Sequence, residues 1–447
     1  MEQLTLAVAA AACVLVFCLP PAWWLIIYTA LLAYYPQYLS VKIGTLDFMA
    51  CRIVMVAMYA KLLLRGNLVR SFRFNYLDIL VIAYFLAQLF SGLLTTDAGS
   101  LLENRFGVAF DSVLPYFIVR LIVTGKEEYR KLLKWILILA VPIAIVGFYQ
   151  SITGHNPAGF LKIYRPWGSQ AGYIPLPRHG FFRANVTFPD SIVYGLFFAI
   201  LGPVCAGILR SVKRHKALYW AGLGFMGVGV FSSMSGGPAF AAVTAVAFIA
   251  FYRFRRYWKT AVVAIVLMCG TIEFISTRHF YYYPTRFTFN LASAWYRGRL
   301  IDVALFEGGM SGHWLTGYGL ATDASLKASL EWAAKIDHRD HVDMVNEYLL
   351  IVFRYGLIAL VPFLAMVCAA IKRLIEALRL CLLDSDRWLV WCVSGSLAGV
   401  LVAIVTVSLS GTQPTILFFI LIGLCGVMPL ITADENRRLL ERLSKGG

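Results

Sequence analysis

Residues 348–373 read YLLIVFRYGLIALVPFLAMVCAAIKR. From Tyr348 to Ile371 a single charge, Arg354, interrupts the apolar run, and Lys372 and Arg373 end it. About 20 predominantly apolar residues suffice to cross the roughly 30 Å hydrocarbon core of a bilayer. The stretch is long enough, and its basic stop is the charge that collects in the cytoplasmic loops of membrane proteins.

Outward from this stretch the pattern recurs. Apolar runs cover Thr45–Leu64, Tyr76–Thr96, Gly107–Val123, Trp135–Tyr149, Val186–Leu209 and Ala217–Phe231 on its N-terminal side. Phe240–Phe251, Thr260–Ile275, Leu389–Leu409 and Thr415–Leu430 complete the set. Ahead of them, Pro20-Pro21 splits the opening 44 residues into two short apolar pieces. Two crossings there put the N-terminus outside; one crossing plus an interfacial piece puts it inside. The Leu4–Leu19 run has no basic flank and no A-x-A cleavage site, so it is not read as a removed signal peptide. The expected fold is an all-α integral membrane protein of about 12 (11–13) transmembrane helices, with residues 1–447 as one polytopic membrane domain. Composition agrees: 60% of residues are hydrophobic and 14% charged, and mean hydropathy is +0.73. A soluble domain is usually about 45–50% apolar and about 25% charged.

The 40 Lys and Arg against 24 Asp and Glu leave a formal charge of +16. These cations sit in short blocks between alternate spans, around Lys61–Arg73, Lys126–Lys134, Arg210–Lys216, Arg253–Lys259, Lys372–Arg387 and Arg437–Lys445. That alternation assigns those loops and the C-terminus to the cytoplasm, and makes the charge topological, with no nucleic-acid partner. Nearly all of the 9 cysteines lie within apolar spans and none in a long loop, which shows neither a disulfide framework nor a zinc pattern.

The remaining loops face outside, and two are long: residues 153–186 and residues 276–344. They carry Trp167, Tyr173, Tyr281, Tyr282, Tyr283, Trp295, Trp314 and Trp332, so short helices lying at the membrane surface are expected in them. Of 7 histidines, only His215 falls in a basic loop; His155, His179, His279, His313, His338 and His341 fall outside. Histidine is the side chain best suited to proton transfer near neutral pH, so chemistry is expected on the outer face.

Three outer segments have the residue types for it. His179-Gly180-Phe181-Phe182-Arg183 opens a span, and Arg183 can hold a phosphate by bidentate hydrogen bonds or anchor the helix at the headgroups. Trp295-Tyr296-Arg297-Gly298-Arg299 reads as an amphipathic helix leading to the turn Gly317-Tyr318-Gly319, with Arg297 and Arg299 as anion ligands or surface contacts. Asp337-His338-Arg339-Asp340-His341-Val342-Asp343 precedes Asn346-Glu347-Tyr348. A histidine there can act as a general base; the same cluster can also cap a helix or bind a metal. Asp384-Ser385-Asp386 has the D-x-D form of a metal–nucleotide-sugar site but reads as a solvated turn. Intramembrane Arg52, Asp111, Arg120, Glu273 and Arg354 are costly in lipid and should face the interior, as structural pairs or along a lipid-linked substrate's path.

In order along the chain, five segments resemble the O-antigen ligase and polysaccharide polymerase superfamily of bacterial envelopes. They are Phe148-Tyr149-Gln150-Ser151-Ile152-Thr153-Gly154-His155-Asn156-Pro157; Phe182-Arg183-Ala184 through Pro189 to Tyr194-Gly195; Ser233-Met234-Ser235-Gly236-Gly237; Ala294-Trp295-Tyr296-Arg297 with Gly317-Tyr318-Gly319; and Asn346-Glu347-Tyr348-Leu349 through Gly356. The resemblance implies a membrane glycosyltransferase similar to the GT-C type, in the bacterial inner membrane with its active site periplasmic. It implies a donor glycan on undecaprenyl diphosphate, inverting transfer to an acceptor hydroxyl, and no metal cofactor. Polymerisation of exopolysaccharide or O-antigen repeat units is the first expectation, and ligation to lipid A core the second. A transporter of lipid-linked sugars is the rival from another class. Carried over, Arg183 and Arg297 hold the diphosphate, with Arg299 beside them, and His341 is the base. The family's histidine falls at Val345 here, one turn after His341, and His338 is the other candidate. Partners implied are the lipid-linked donor, a glycan or lipid A-core acceptor, membrane lipids, and chain-length or export proteins.

Overall fold

The computed structural model describes residues 2–66, 72–164, 177–212, 214–277, 279–285, 291–320 and 344–445. They are overwhelmingly helical. Helix α1 is Glu2–Cys18, α2 Trp24–Tyr34, α3 Ala50–Arg65, α4 Tyr76–Thr95, α5 Ala98–Asp111, α6 Val113–Ile122 and α7 Lys126–Thr153. Then follow α8 Ser191–Ala206, α9 Lys216–Ser232, α10 Gly236–Ala250, α11 Trp258–Ile275 and α12 Leu291–Leu305. The last three are α13 Glu347–Leu380, α14 Asp384–Ala403 and α15 Thr412–Lys445. Seven helical segments among the described residues are long and apolar enough to cross a membrane: Tyr76–Thr95, Lys126–Thr153, Ser191–Arg210, Gly236–Ile275, Glu347–Leu380, Asp384–Ala403 and Thr412–Glu441. The fold is that of a helical membrane protein.

One small element interrupts the helical pattern. Strands β1 (Ser40–Ile43) and β2 (Leu46–Met49) pair antiparallel, from Ser40↔Met49 to Ile43↔Leu46, around the two-residue turn Gly44-Thr45. Gly44 has φ 64°, the sign such a tight hairpin turn requires. The apolar run starting at Thr45 is therefore a strand and then a helix, and α3 starts at Ala50.

Side-chain contacts sort the helix ends into two sets. Lys126 Nζ meets Asp386 at 2.6 Å and Glu435 at 3.0 Å, joining the start of α7, the start of α14 and the tail of α15. Arg210 and Tyr252 both bond to Asp384, and Tyr76 donates to Glu376 at 3.0 Å. The D-x-D aspartates are thus structural ion-pair partners. Most of the basic blocks gather at this end. At the other end, Thr187 donates to the Ala33 carbonyl at 2.6 Å, Gln413 to the Leu32 carbonyl at 2.7 Å, and Glu347 N–H to the Ile404 carbonyl at 2.9 Å. The loop segments around Asn185 and Tyr318 lie there too. The alternation of charge along the sequence is an alternation of ends in space.

The start of the chain follows the same division. Lys61 Nζ, one turn before the end of α3, donates to the carbonyls of Val16, Phe17 and Leu19 at 2.8, 2.7 and 2.9 Å. A cation is favourable at a helix C-terminus, where carbonyls lack partners. At the opposite end the hydroxyls of Thr5 and Tyr35 lie 2.7 Å apart. Helices α1 and α2 therefore form an antiparallel pair, which leaves the N-terminus at the end away from the basic blocks.

A buried ion pair locks α4 to α6. Arg120 reaches Asp78 through Nε at 3.0 Å and Nη2 at 3.1 Å, and Tyr116 donates to the same carboxylate at 2.6 Å. The two charged side chains are 2% and 0% exposed. Asp78 also accepts the Asn75 N–H at 2.7 Å, closing a capping box at the start of α4. Removing one partner strands a buried charge, so Asp78→Ala is expected to cost about 3–5 kcal/mol. Apolar replacement of Asp78 and Arg120 together should recover most of it. Thermal midpoints of the purified variants in detergent check this, and equal midpoints for D78A and parent would contradict it.

Candidate functional site

The five sequence segments singled out above converge at the end away from the basic blocks, in two clusters. The first joins the 148–157 and 182–195 segments and, through Ser232 and Arg178, the chain around the third. Gln150, near the end of α7, accepts the N–H groups of Asn185 and Val186 on Oε1 at 3.1 and 2.9 Å and donates to Asn185 Oδ1 at 2.9 Å. Asn156 donates to the Val186 carbonyl at 2.9 Å. Phe182 N–H meets the Ser151 carbonyl at 2.8 Å, and Ala184 N–H meets the Ser232 carbonyl at 2.9 Å. Arg178 donates to the Met234 carbonyl at 3.1 Å. These bonds hold Val186 at φ 48°, which a β-branched residue adopts only when its surroundings over-determine it. Arg183 lies half-buried between the Phe182 and Ala184 anchors.

The second cluster joins the other two. Helix α13 is broken at Gly356, whose φ of 63° and ψ of −165° lie in a region open to glycine alone. The break frees backbone groups on both sides, and the chain around the Gly317-Tyr318-Gly319 turn takes them up. Tyr318 N–H meets the Phe353 carbonyl at 2.6 Å and Gly319 N–H the Arg354 carbonyl at 3.0 Å. In return Leu357 N–H meets the Trp314 carbonyl at 2.8 Å and Ile358 N–H the Leu315 carbonyl at 3.2 Å. Ser91 on α4 donates to the Thr316 carbonyl at 2.6 Å. Irregular backbone at membrane depth is tolerated when it is buried in protein or lines a cavity, and this segment does both.

Helix α12 packs Leu300, Val303 and Ala304 on the first two turns of α13. Tyr281 and Tyr282 both donate to Asp302 on it. Burial, and then the carboxylate they share, holds both phenols above the ordinary tyrosine value. Arg297 is half-buried on α12. Arg299 is held by Glu307, with Nη2 2.7 Å from Oε2, and lies 4.0 Å from Asp302. His338 and His341 lie outside the described residues, as do the other members of the 337–343 cluster.

Beside the broken helix is a cavity of about 610 Å³, between the hairpin, the starts of α3 and α13, α4, α5 and residues 409–419. Arg52 there is bidentate to Asp111, at 3.1 and 2.7 Å, and donates to the Asp47 carbonyl at 2.9 Å. Arg105, 4% exposed, donates to Gln88, Asn104 and the Tyr355 hydroxyl, each at 2.5 Å. Its Nε and that of Arg354 are buried with no hydrogen-bond partner among the described residues. Glu347 accepts the Leu409 N–H at 2.6 Å on one carboxylate oxygen. Three of the intramembrane charges read as costly, Arg52, Asp111 and Arg354, thus line one cavity. Of the other two, Arg120 is in the structural pair, while Glu273, expected to face the interior, is exposed and shares a 2.6 Å hydrogen bond with His279. Arg183, Arg297 and Arg299 are not among the lining residues. Sequence reading missed Arg105, Gln88 and Glu347 as cavity groups. Glu347 sits two helical turns before Arg354, a spacing that puts the two on one face and could have found it.

Among the described residues no group of three or more His, Cys, Asp and Glu side chains is arranged to hold a metal ion. The chain matches no family model and no curated protein.

Proposed function

We propose that the protein is a membrane glycosyltransferase. It takes a glycan from an undecaprenyl-diphosphate carrier and passes it, with inversion, to an acceptor hydroxyl on the periplasmic face of the bacterial inner membrane. The observation that carries this reading is the pairing of the five resemblance segments. Spread over residues 148–356, they fall into two hydrogen-bonded clusters at one end of the bundle, the second of them beside a polar cavity. In this reading the basic end faces the cytoplasm, and the chain crosses thirteen times, counting α1, α2, α3, the α5–α6 pair, α9, α10 and α11 each as one pass. Arg183 and Arg297 hold the diphosphate, His341 or His338 takes the acceptor proton, and no metal is required. Polymerisation of exopolysaccharide or O-antigen units is preferred over ligation to lipid A core.

The test is incubation of the purified protein with a lipid-diphosphate repeat unit, with and without chelator. Longer lipid-linked products, insensitive to chelator, are expected. Flipping of the lipid across vesicles without any new glycosidic bond would instead establish the transporter reading. That alternative has one structural feature in its favour, since interrupted helices are common at transporter binding sites. Unlinked long polymer in cells lacking the protein would move the assignment from polymerase to ligase.

A further inference from the structure

The cavity beside Gly356 carries more charge than a structural void needs, and its balance decides what it can hold. Three arginines line it, Arg52, Arg105 and Arg354, against four carboxylates, Asp47, Glu103, Asp111 and Glu347. Arg52 is neutralised by Asp111 at 2.7 Å. What remains is two arginines and three carboxylates, one acid in excess. A diphosphate placed here would share the cavity with the half-buried Glu347, with Asp47 and Glu103 at its exposed rim, and like charges repel. The cavity is therefore poorly suited to the anionic end of a lipid carrier.

It is well suited to a ligand that both donates and accepts many hydrogen bonds and has no net charge. Carboxylates accept from hydroxyls and never donate when ionised, and guanidinium groups only donate. Arg105 is already held by Gln88, Asn104 and the Tyr355 hydroxyl, whereas the half-buried Arg354 lines the cavity with no side-chain hydrogen bond among the described residues. Glu347 keeps capacity beyond its single Leu409 bond. Tyr84, Phe363 and Phe419 also line it, packed against one another. The volume of about 610 Å³ is in the range of small-molecule sites, about 300–1,000 Å³.

We infer that this cavity is a binding site for a neutral saccharide, its hydroxyls shared between Glu347 and Arg354. The inference deepens the proposed glycosyl transfer, on which it rests, by making this the acceptor-sugar subsite, separate from the arginines of the diphosphate. The sugar is identified only by its chemistry: uncharged, polyhydroxylated and one to a few rings long.

The experiment is binding of the fluorescently labelled full-length protein in detergent to an array of oligosaccharides, comprising neutral, carboxylated and phosphorylated members. Neutral members should bind. Glu347→Gln keeps the side chain's size and Arg354→Gln shortens its reach, and each should weaken binding by about tenfold or more, the loss of a hydrogen bond to a charged group. Gln88→Leu should have a smaller effect in the same direction. Preference for phosphorylated members, no binding at all, or unchanged binding in all three variants would overturn the inference. The transfer assay is independent: sugar binding without transfer retains the cavity's role and removes the enzyme, and transfer without sugar binding does the reverse.

Discussion

Gly356→Val is expected to abolish folding of the membrane domain, and Gly356→Ala to cost at least about 3–5 kcal/mol, at the high end for single substitutions. Two costs add. The backbone conformation is open only to glycine, and holding another residue there costs about 1–3 kcal/mol. A Cβ on residue 356 would also lie 2.1 Å from the Leu315 carbonyl oxygen and 2.6 Å from Thr316 N, so backbone would have to move. That backbone is the segment whose carbonyls cap the second half of α13, so relief of the overlap breaks the bonds that make the helix break tolerable. Gly317 is the other half of the contact: its Cβ would lie 2.6 Å from both the Arg354 carbonyl carbon and the Tyr355 N. Gly317→Ala should therefore fail in the same way, and the two should not add when combined, because each disrupts the same interlock. Monodisperse yield and thermal midpoint in detergent report the result. Stable, well-behaved protein carrying G356V would show that α13 can run through without its break.

Hydropathy foretells where most helices run, since a long apolar run in lipid has few alternatives to a helix. It cannot foretell the Gly356 break. The residues from Tyr348 to Ile371 are apolar on both sides of it, and only the Gly317 turn, distant in sequence, gives the interrupted backbone its partners. The hairpin Ser40–Met49 is hidden for a related reason. Leu46, Phe48 and Met49 are as apolar as the helix that follows, so a window that counts hydrophobicity merges strand and helix, although Gly44-Thr45 is a turn signal. Helix starts at the basic end are misplaced because hydropathy stops at a charge and a helix does not: α7 begins at Lys126, not Trp135. At the site, Arg52, Asp111 and Arg354 stand out from the sequence alone, because charge in a span is costly and needs a reason. Arg105 and Gln88 do not. Arg105 lies just ahead of the apolar run of α5–α6, and amides in a span attract less notice than charges. Convergence in space, rather than any residue's type, is what makes them part of one cavity.

Arg297→Ala and His341→Ala are expected to remove glycosyl transfer while leaving the amount of folded protein unchanged. The expectation follows from where charge develops in the proposed reaction. As the bond from the anomeric carbon to the carrier breaks, negative charge grows on the departing diphosphate, and guanidinium groups already in place stabilise it without reorganisation. Losing one such donor typically costs about 10²–10³-fold in rate. Loss of the general base costs about 10²–10⁴-fold. Arg183→Ala should match Arg297→Ala. Lysine at either position keeps the charge but loses the bidentate fork, so partial rescue is expected there. Arg299 behaves differently in this scheme: it is already bound by Glu307 and lies near Asp302, so Arg299→Ala should lower the stability of α12 more than the rate per folded molecule. His338→Ala separates the two histidines, since only the variant of the true base should flatten the rise of rate with pH near neutrality. Full transfer activity in Arg183→Ala, Arg297→Ala and His341→Ala together would leave the proposed reaction without its leaving-group stabilisation, and the cavity acids, Glu347 first, would then be the place to look for the chemistry.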